Sequence, residues 1–421
     1  MDRLSFLKNT SAISAAIVLK PSIVFGTTAN SAVRIGIIGC GNRGTAVISS
    51  MSKHTPVNII AMADLFKDKL DNITPKINEL NAAKGFPAVQ KAHIFKGADA
   101  YKRLLALKEL DAVLISSPAY THPGFVEAAV AAGKHIYCEK PVATDVAGCK
   151  RVQQAGEKAL GKLSLVIGFQ IRHATPYAEM VKRIQRGEIG ELINAQLYYL
   201  SSAAKIHEYK NVSDDEFRIR NHYQFHALSG GILLDQGIHM LDVCNWALNS
   251  NPVHATGSGG RKGRPVIGDA WNNYQVLYQY PNDVNVSFHS TQIGPSFGDV
   301  CCRFIGSKGV AEAHYSGGVF INGENKWDSG IARSASELTA QQQASGVFLS
   351  SLHDADANKE IAFIDSIINR KYLNEATSGV NSTMTAILGR ESAGAGRKMS
   401  WEELNRSSQH FDTKLDLSKF D

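Results

Sequence analysis

The sequence predicts an α/β protein of two domains, a parallel sheet wrapped by helices and then a second domain with an antiparallel or mixed sheet. Three observations carry this. From Val33 onward, short apolar runs alternate with longer amphipathic stretches, the βαβα order of a parallel sheet. After about residue 190 the apolar runs crowd together between Gly and Pro punctuation, which suits antiparallel pairing. The chain has 421 residues, 44% hydrophobic and 20% charged, an ordinary globular composition at a length that suits two domains.

The elements follow in order. Val33–Ile38, Val57–Ala63, Ala112–Ser116, His135–Cys138 and Leu165–Phe169 are short continuous apolar runs, read as buried parallel strands. Between them Arg43–Met51, Lys67–Leu80, Ala98–Leu107, Phe125–Ala132 and Asp145–Leu160 read as helices, with Gly133 as a C-cap. In the second domain Leu192–Ser201 is strand-like, Lys205–Arg220 is polar and charged, and Asp235–Leu248 is a clear helix. Strand-like runs follow at Val253–Gly259, Asn273–Tyr280, Val284–Thr291, Cys302–Ile305 and Val310–His314, then helices at Lys359–Ile368 and Ser382–Ala393.

Composition excludes several function classes. The net charge of +6 is spread without a basic block, so a mildly basic surface is favoured over nucleic-acid binding. Residues 1–30 stand apart. Arg3 and Lys8 precede the apolar run Ser11–Leu19, Lys20-Pro21 interrupts it, and Gly26 and Ala29 supply small residues. This is the shape of a signal peptide, too short to span a membrane. Asp2–Lys8 resembles a twin-arginine export signal with Leu4 where the second arginine belongs. The expected location is periplasmic or exported, or cytoplasmic if residues 1–30 are only a disordered extension. No other segment is apolar enough for a transmembrane helix, so no membrane insertion is expected. Cys40, Cys138, Cys149, Cys244, Cys301 and Cys302 lie at no metal-ligand spacing and read as buried free thiols, with no metal expected.

Gly39-Cys40-Gly41-Asn42-Arg43-Gly44 follows a strand and opens a helix, the context that turns G-x-G-x-x-G into a dinucleotide signal. Gly39 allows the tight turn, Gly41 lets backbone approach the pyrophosphate, and Gly44 lets helix and strand pack closely. The phosphates then meet the free N–H groups of a helix N-terminus, beside Asn42 and Arg43. Asp64 ends the second strand, where a carboxylate accepts from both ribose hydroxyls and repels a 2′-phosphate. NAD is therefore favoured over NADP, a choice that Lys67 nearby tempers. Glu139-Lys140-Pro141 follows a buried strand, at the end where ligands bind in open α/β sheets. Lys140 there can hydrogen-bond a substrate hydroxyl, or be a surface lysine at a strand end. Asp235 and His239 are four apart on a helix and share a face. His239 on that face can act as general base, with Asp235 orienting the ring or the substrate; a satisfied core histidine is the competing reading.

Together these segments resemble the glucose-fructose oxidoreductase, inositol dehydrogenase and rhizopine-catabolism family over nearly all of residues 33–405. The resemblance rests on Ser117-Pro118-Ala119-Tyr120-Thr121-His122, on Gly133 through Pro141, and on Asp235-x-Gly237-x-His239-x-x-Asp242. Ser382-Thr383, Gly389-Arg390-Glu391 and Trp401-Glu402 extend it to the C-terminal region. It implies an NAD-binding Rossmann domain over residues 31–160. It implies a substrate-binding α/β domain over 161–421 whose large open, mostly antiparallel sheet covers the nicotinamide and builds a homo-oligomer. By this resemblance Lys140, Asp235 and His239 match catalytic positions. Ser117, Pro118, His122 and Glu139 fall near the cofactor, and Gln170 and Arg172 match a segment lining the nicotinamide site.

One stretch departs from the family pattern. Arg218–His226 is an aromatic, polar insertion before the helix of His239. Asn221, His222, Tyr223 and His226 are candidates for substrate contacts, since aromatic faces and histidines suit a sugar ring. A loop-packing cluster is the competing reading. Trp271 and His289 are further candidates of the same kind. The expected activity is hydride transfer between NAD and a ring hydroxyl of a sugar, glycoside or cyclitol. An alternative is a redox-neutral NAD-dependent glycosidase, because an exported enzyme has no cytosolic pool to reoxidise NADH and should hold its cofactor tightly. A non-catalytic dinucleotide-binding regulator is the third class; intact Lys140 and His239 argue against it.

Overall fold

The computed structural model describes residues 32–263, 267–293, 298–331 and 350–420. The expected signal segment, residues 1–30, lies outside them. No helix of the described residues is long and apolar enough to cross a membrane.

Six strands form the first sheet: β1 (Val33–Ile38), β2 (Val57–Asp64), β3 (Ile94–Lys96), β4 (Ala112–Ile115), β5 (His135–Cys138) and β6 (Leu165–Ile167). They run parallel in the order β3-β2-β1-β4-β5-β6. Helices cover both faces, so strand residues are buried on both sides and read as continuous apolar runs. Ile35 and Ile37 of β1 are fully buried, and each such side chain contributes about 1.5–3 kcal/mol. The three-residue β3 is too short to carry a periodic signal in the sequence. Two features cross the expected division at residue 160. The sheet takes its last strand from Leu165–Ile167, and the helix Ala355–Ile368 returns late in the chain to pack Phe363 and Ile364 into the core around Ile35 and Val57.

The second sheet has nine strands. They are β7 (Leu192–Ser201), β8 (His254–Gly260), β9 (Asn273–Gln279), β10 (Asn285–Gln292), β11 (Asp299–Gly306), β12 (Gly309–His314), β13 (Val319–Gly323), β14 (Trp327–Asp328) and β15 (Met399–Ser400). Their order is β14-β13-β12-β11-β7-β10-β9-β8-β15, antiparallel throughout except for the parallel pair β7–β10. Burial alternates along the strands, as in β10 where Val286, Phe288 and Ser290 face inward. The inner face packs on the helices Thr175–Gln185, Ile238–Leu248 and Ala376–Ala395. The other face leaves Leu277 about half exposed. The helix Ala376–Ala395 also joins the domains, approaching so closely that a Cβ on Gly389 would lie 2.0 Å from the Tyr278 hydroxyl.

Candidate active site

In the first sheet the strand order reverses between β1 and β4, and ligands bind at the carboxyl ends of such strands. A cavity of about 930 Å³ opens there, walled by both domains. On the first domain's side Gly39 has φ +94°, and a Cβ on it would lie 2.5 Å from the backbone of Ser116 and Ser117. A Cβ on Gly44 would lie 2.2 Å from the Gly39 oxygen, so helix and strand meet only because this residue is glycine. A Cβ on Gly41 would meet nothing, leaving room beside the cavity. The helix Asn42–His54 starts at this point with no side-chain cap and no acidic residue in its first turn. Its unpaired N–H groups and dipole suit an anion. Asp64 accepts hydrogen bonds from the N–H groups of Cys40 (2.7 Å) and Phe66 (2.9 Å), while burial raises its pKa. Open glycine, uncapped helix and fixed carboxylate together fit a dinucleotide.

The far end of the cavity holds the charged centre. Lys140, at the end of β5, has its ammonium 3.6 Å from Asp235 Oδ1 and donates to the Asp235 carbonyl. His239 is 7% exposed, and its Nδ1 has no hydrogen-bond partner among the described residues. Burial, reinforced by the charges of Lys140 and Arg43, holds its pKa well below the usual histidine range, so the ring is neutral near pH 7. Tyr199 of β7 lies nearly parallel to this ring at 6.4 Å, and Tyr315 crosses it at 6.2 Å. The spacing of Asp235 and His239 is not that of a plain α-helix. Leu233–Gly237 is a π-turn entered through Gly230 and Gly231, both with positive φ, and Ile238–Leu248 continues as α-helix. Such turns recur at functional sites.

Most candidates meet this cavity. Ser117, Pro118, His122, Glu139, Gln170, His222 and Tyr223 line it alongside Asn42 and Arg43. Several are also tied to one another. Arg43 donates to Glu139 (2.8 Å) and Gln170 (3.2 Å), and Gln170 donates to the Tyr315 hydroxyl (2.7 Å). The ring nitrogens of His122 lie 2.7 Å from the Pro141 carbonyl and 2.8 Å from the Ser117 carbonyl, and the neutral ring that burial favours donates to one of these two loops bordering the cavity. Tyr223 titrates upward mainly because Asp235 is near. His222 Nδ1 donates to the Ile219 carbonyl (3.1 Å), which leaves Nε2 as an acceptor.

Other expectations need correction. Arg172 does not line the cavity. It grips the buried Asp242 through Nε (2.9 Å) and Nη2 (2.8 Å), behind the helix that carries His239. His226 also lies outside the cavity, with Nε2 3.4 Å from both the Tyr274 hydroxyl and the Trp271 N–H. Trp271 packs on Tyr274 at a tilt, 5.5 Å between ring centres, within that same cluster. His289 stacks on Tyr198 on the outer face of the second sheet. Asn221 borders the cavity, but its amide holds the backbone of His207 at both ends. These residues are polar and aromatic in sequence, and packing, not ligand contact, uses that polarity.

Sequence reasoning missed Tyr199, Tyr315 and Arg220. Alternation along β7 could have found Tyr199, since it shares a face with the buried Leu197. Arg220 bonds both oxygens of Asp68 (3.0 and 2.6 Å) and lies 3.9 Å over the Phe66 ring, just past Asp64. Phe66 in turn packs with Ile219 and Phe420. The insertion and the C-terminal tail thus close the cavity at its Asp64 end.

All six cysteines are free and buried. Comparisons with known proteins agree with this geometry. Residues 33–167 match the model described as oxidoreductase family, NAD-binding Rossmann fold, and residues 177–312 match the GFO/IDH/MocA C-terminal domain. Inositol 2-dehydrogenase 3 of Saccharopolyspora erythraea is 29% identical over 66% of this chain and 72% of its own. Inositol 2-dehydrogenase of Pseudomonas savastanoi pv. phaseolicola is 25% identical over 71% of this chain and 80% of its own. Among solved structures, scyllo-inositol dehydrogenase from Lactobacillus casei with bound NAD(H) and scyllo-inositol superposes with TM-score 0.65 at 20% identity, covering 88% of this chain and 99% of the other. Aldose-aldose oxidoreductase from Caulobacter crescentus has TM-score 0.68 at 19% identity, with the same coverage. With both family models in place on one chain, the protein belongs to the GFO/IDH/MocA oxidoreductases and carries their NAD-binding Rossmann fold.

Proposed function

We propose that this protein moves a hydride between NAD and a ring hydroxyl or keto group of a cyclitol or sugar. One observation carries the reading: a lysine and a buried neutral histidine border one cavity beside a phosphate-type glycine loop. Gly39, Gly41, Asn42, Arg43 and Gly44 would hold the pyrophosphate at the helix N-terminus, and Asp64 the ribose. The Asp64 carboxylate supports NAD over NADP, since it would repel a 2′-phosphate. When bound, the nicotinamide supplies the hydride chemistry. Lys140 hydrogen-bonds the substrate oxygen and stabilises the charge that grows on it. His239, being neutral, takes the hydroxyl proton. Asp235 holds the Lys140 ammonium in place through the 3.6 Å contact. Tyr199 and Tyr315 wall the site, and His222 and Tyr223 offer ring faces and polar atoms to a sugar-like ring.

The substrate class leans on the names of the relatives, which are inositol dehydrogenases. Those names lend no support to the glycosidase alternative. Arg220 and Phe420 cover the Asp64 end, but the half-exposed Asp68 partner makes that closure weak, so it lends little to a tightly held cofactor. The bare outer face of the second sheet supports a homo-oligomer. The test is to incubate the purified protein with NAD and a panel of inositols, aldoses and aryl glycosides. NADH accumulation with a cyclitol or sugar is the expected result. No NADH with any of them, or release of the aryl group without net NADH, overturns the reading.

A further inference from the structure

A second constellation lies away from the cavity, on the outer face of the nine-stranded sheet. Cys301 of β11 pairs directly with His314 of the antiparallel β12. Asp299 stands two residues before Cys301 on the same strand. Direct cross-strand partners share a face, and so do residues two apart, so all three side chains converge. Their ligand atoms lie within 4.8 Å of one another, with His314 Nδ1 3.8 Å from Asp299 Oδ1. The orientation of the imidazole is fixed from behind. His314 Nε2 lies 2.6 Å from Glu312 Oε1, and Glu312 is itself held by Arg303 Nε at 2.5 Å. A carboxylate can only accept, so Nε2 carries the proton and Nδ1 presents its lone pair toward Cys301 and Asp299. Carboxylate-backed histidine is the arrangement that orients ligands in metal centres.

We propose that Asp299, Cys301 and His314 form a site for a zinc-like divalent cation, with Glu312 as the group that orients His314. The donor set is one sulfur, one nitrogen and one oxygen, which suits a borderline-soft, tetrahedral ion. Tetrahedral zinc with such ligands sets donor separations of about 3.3–3.6 Å, so a spacing within 4.8 Å closes by at most roughly 1.5 Å. A thiolate and a carboxylate balance a double positive charge, and water completes the fourth position. On binding, the Cys301 proton passes to solvent and a sulfur–metal bond forms, with no change of oxidation state. The ion staples β11 to β12. The residue after His314 is Tyr315, whose ring reaches the cavity beside His239, so the staple anchors the strand end that carries part of the site wall.

The experiment uses untagged full-length protein stripped with chelator and titrated with Co²⁺, then with Zn²⁺ in competition. The expected result is one Co²⁺ per chain, a sulfur-to-cobalt charge-transfer band that Zn²⁺ abolishes, and a higher melting temperature with Zn²⁺. Cys301→Ser should remove the band, and Glu312→Gln should weaken binding about 10–100-fold. His314→Gln provides a second ligand variant should Cys301→Ser fold poorly. A titration without the band, or a band that survives in both ligand variants, overturns the proposal. Because the readouts are spectral and thermal, they stand or fall independently of the dehydrogenase reading.

Discussion

The two ends of the cavity are built differently. At the proposed reacting end Lys140 follows β5, Asp235 lies in the π-turn and His239 on the helix after it, and all three are largely buried. Their support is also buried: Asp242 is 1% exposed, held by Arg172, and accepts from the Ser382 hydroxyl at 2.7 Å. At the Asp64 end the closing contact is Arg220 on Asp68, whose side chain is half exposed, together with a small apolar cluster around Phe66. A buried charge pair cannot open without leaving an unpaired ion, whereas an exposed pair opens at little cost. On the proposed function, the reacting end is preorganised, and the other end is where a dinucleotide would enter or leave.

Five measurements would break or sharpen this contrast. Arg172→Ala strands the Asp242 carboxylate and should cost about 3–5 kcal/mol of stability by denaturant unfolding; a loss under 1 kcal/mol would show that the reacting end is not rigidly supported. Lys140→Met should lower kcat about 10²–10³-fold while calorimetric NAD affinity stays unchanged. Full activity in that variant would refute the site. Asp64→Ser removes charge-assisted bonds worth about 1.5–3 kcal/mol, so NAD should bind roughly ten- to a hundredfold more weakly and discrimination against NADP should fall. An unchanged NAD/NADP ratio would count against the ribose role.

The fourth concerns pH. His239 is neutral in the fold because burial lowers its pKa, while the unfolded ring titrates near about 6.5. Below that value the unfolded chain binds a proton that the fold excludes. This group's contribution to stability therefore declines as pH falls, and the acid limb of kcat/KM should lie below about pH 6.5. An acid limb above that value, preserved in His239→Asn, would assign the base elsewhere. The smallest effect is expected from Arg220→Ala, a pair worth about 0–1 kcal/mol, which should speed NAD release by about two- to fivefold without changing the chemical step. High salt should do the same to the unmodified protein and nothing to the variant.

How much of this was legible varies by element. The strands β1, β2, β5 and β7 follow their apolar runs closely, because a strand buried on both faces must be continuously apolar and β7 shows the strand length plainly. The loop Gly39–Gly44 was legible because its conformation is local: a Cβ at Gly39 or Gly44 collides with backbone a few residues away or with the adjacent strand end. Lys140 and His239 could be nominated from sequence, but not their meeting. The π-turn at Leu233–Gly237 was hidden, since widening one turn depends on what packs against it.

Side chains that serve two masters were misread. Arg172 and His226 carry groups suited to a ligand, yet each is used inside the packing. Arg220 looked like one charge in a polar stretch, and only its approach to Asp68, 152 positions away in the chain, gives it a place in the cavity. Cys301 and His314 likewise become neighbours through strand register and not through chain distance, so no spacing in the sequence announces their pairing.

What the sequence determined alone was the alternation of elements and the phosphate-type loop, because these rest on local periodicity and backbone sterics; Lys140, Asp235 and His239 became candidates through their resemblance to the family's pattern. Which of those side chains face a cavity, which are spent on each other and which close its entrance was decided by the tertiary structure. That outcome depends on desolvation and on partners from distant segments, and neither is written into any one stretch of the chain.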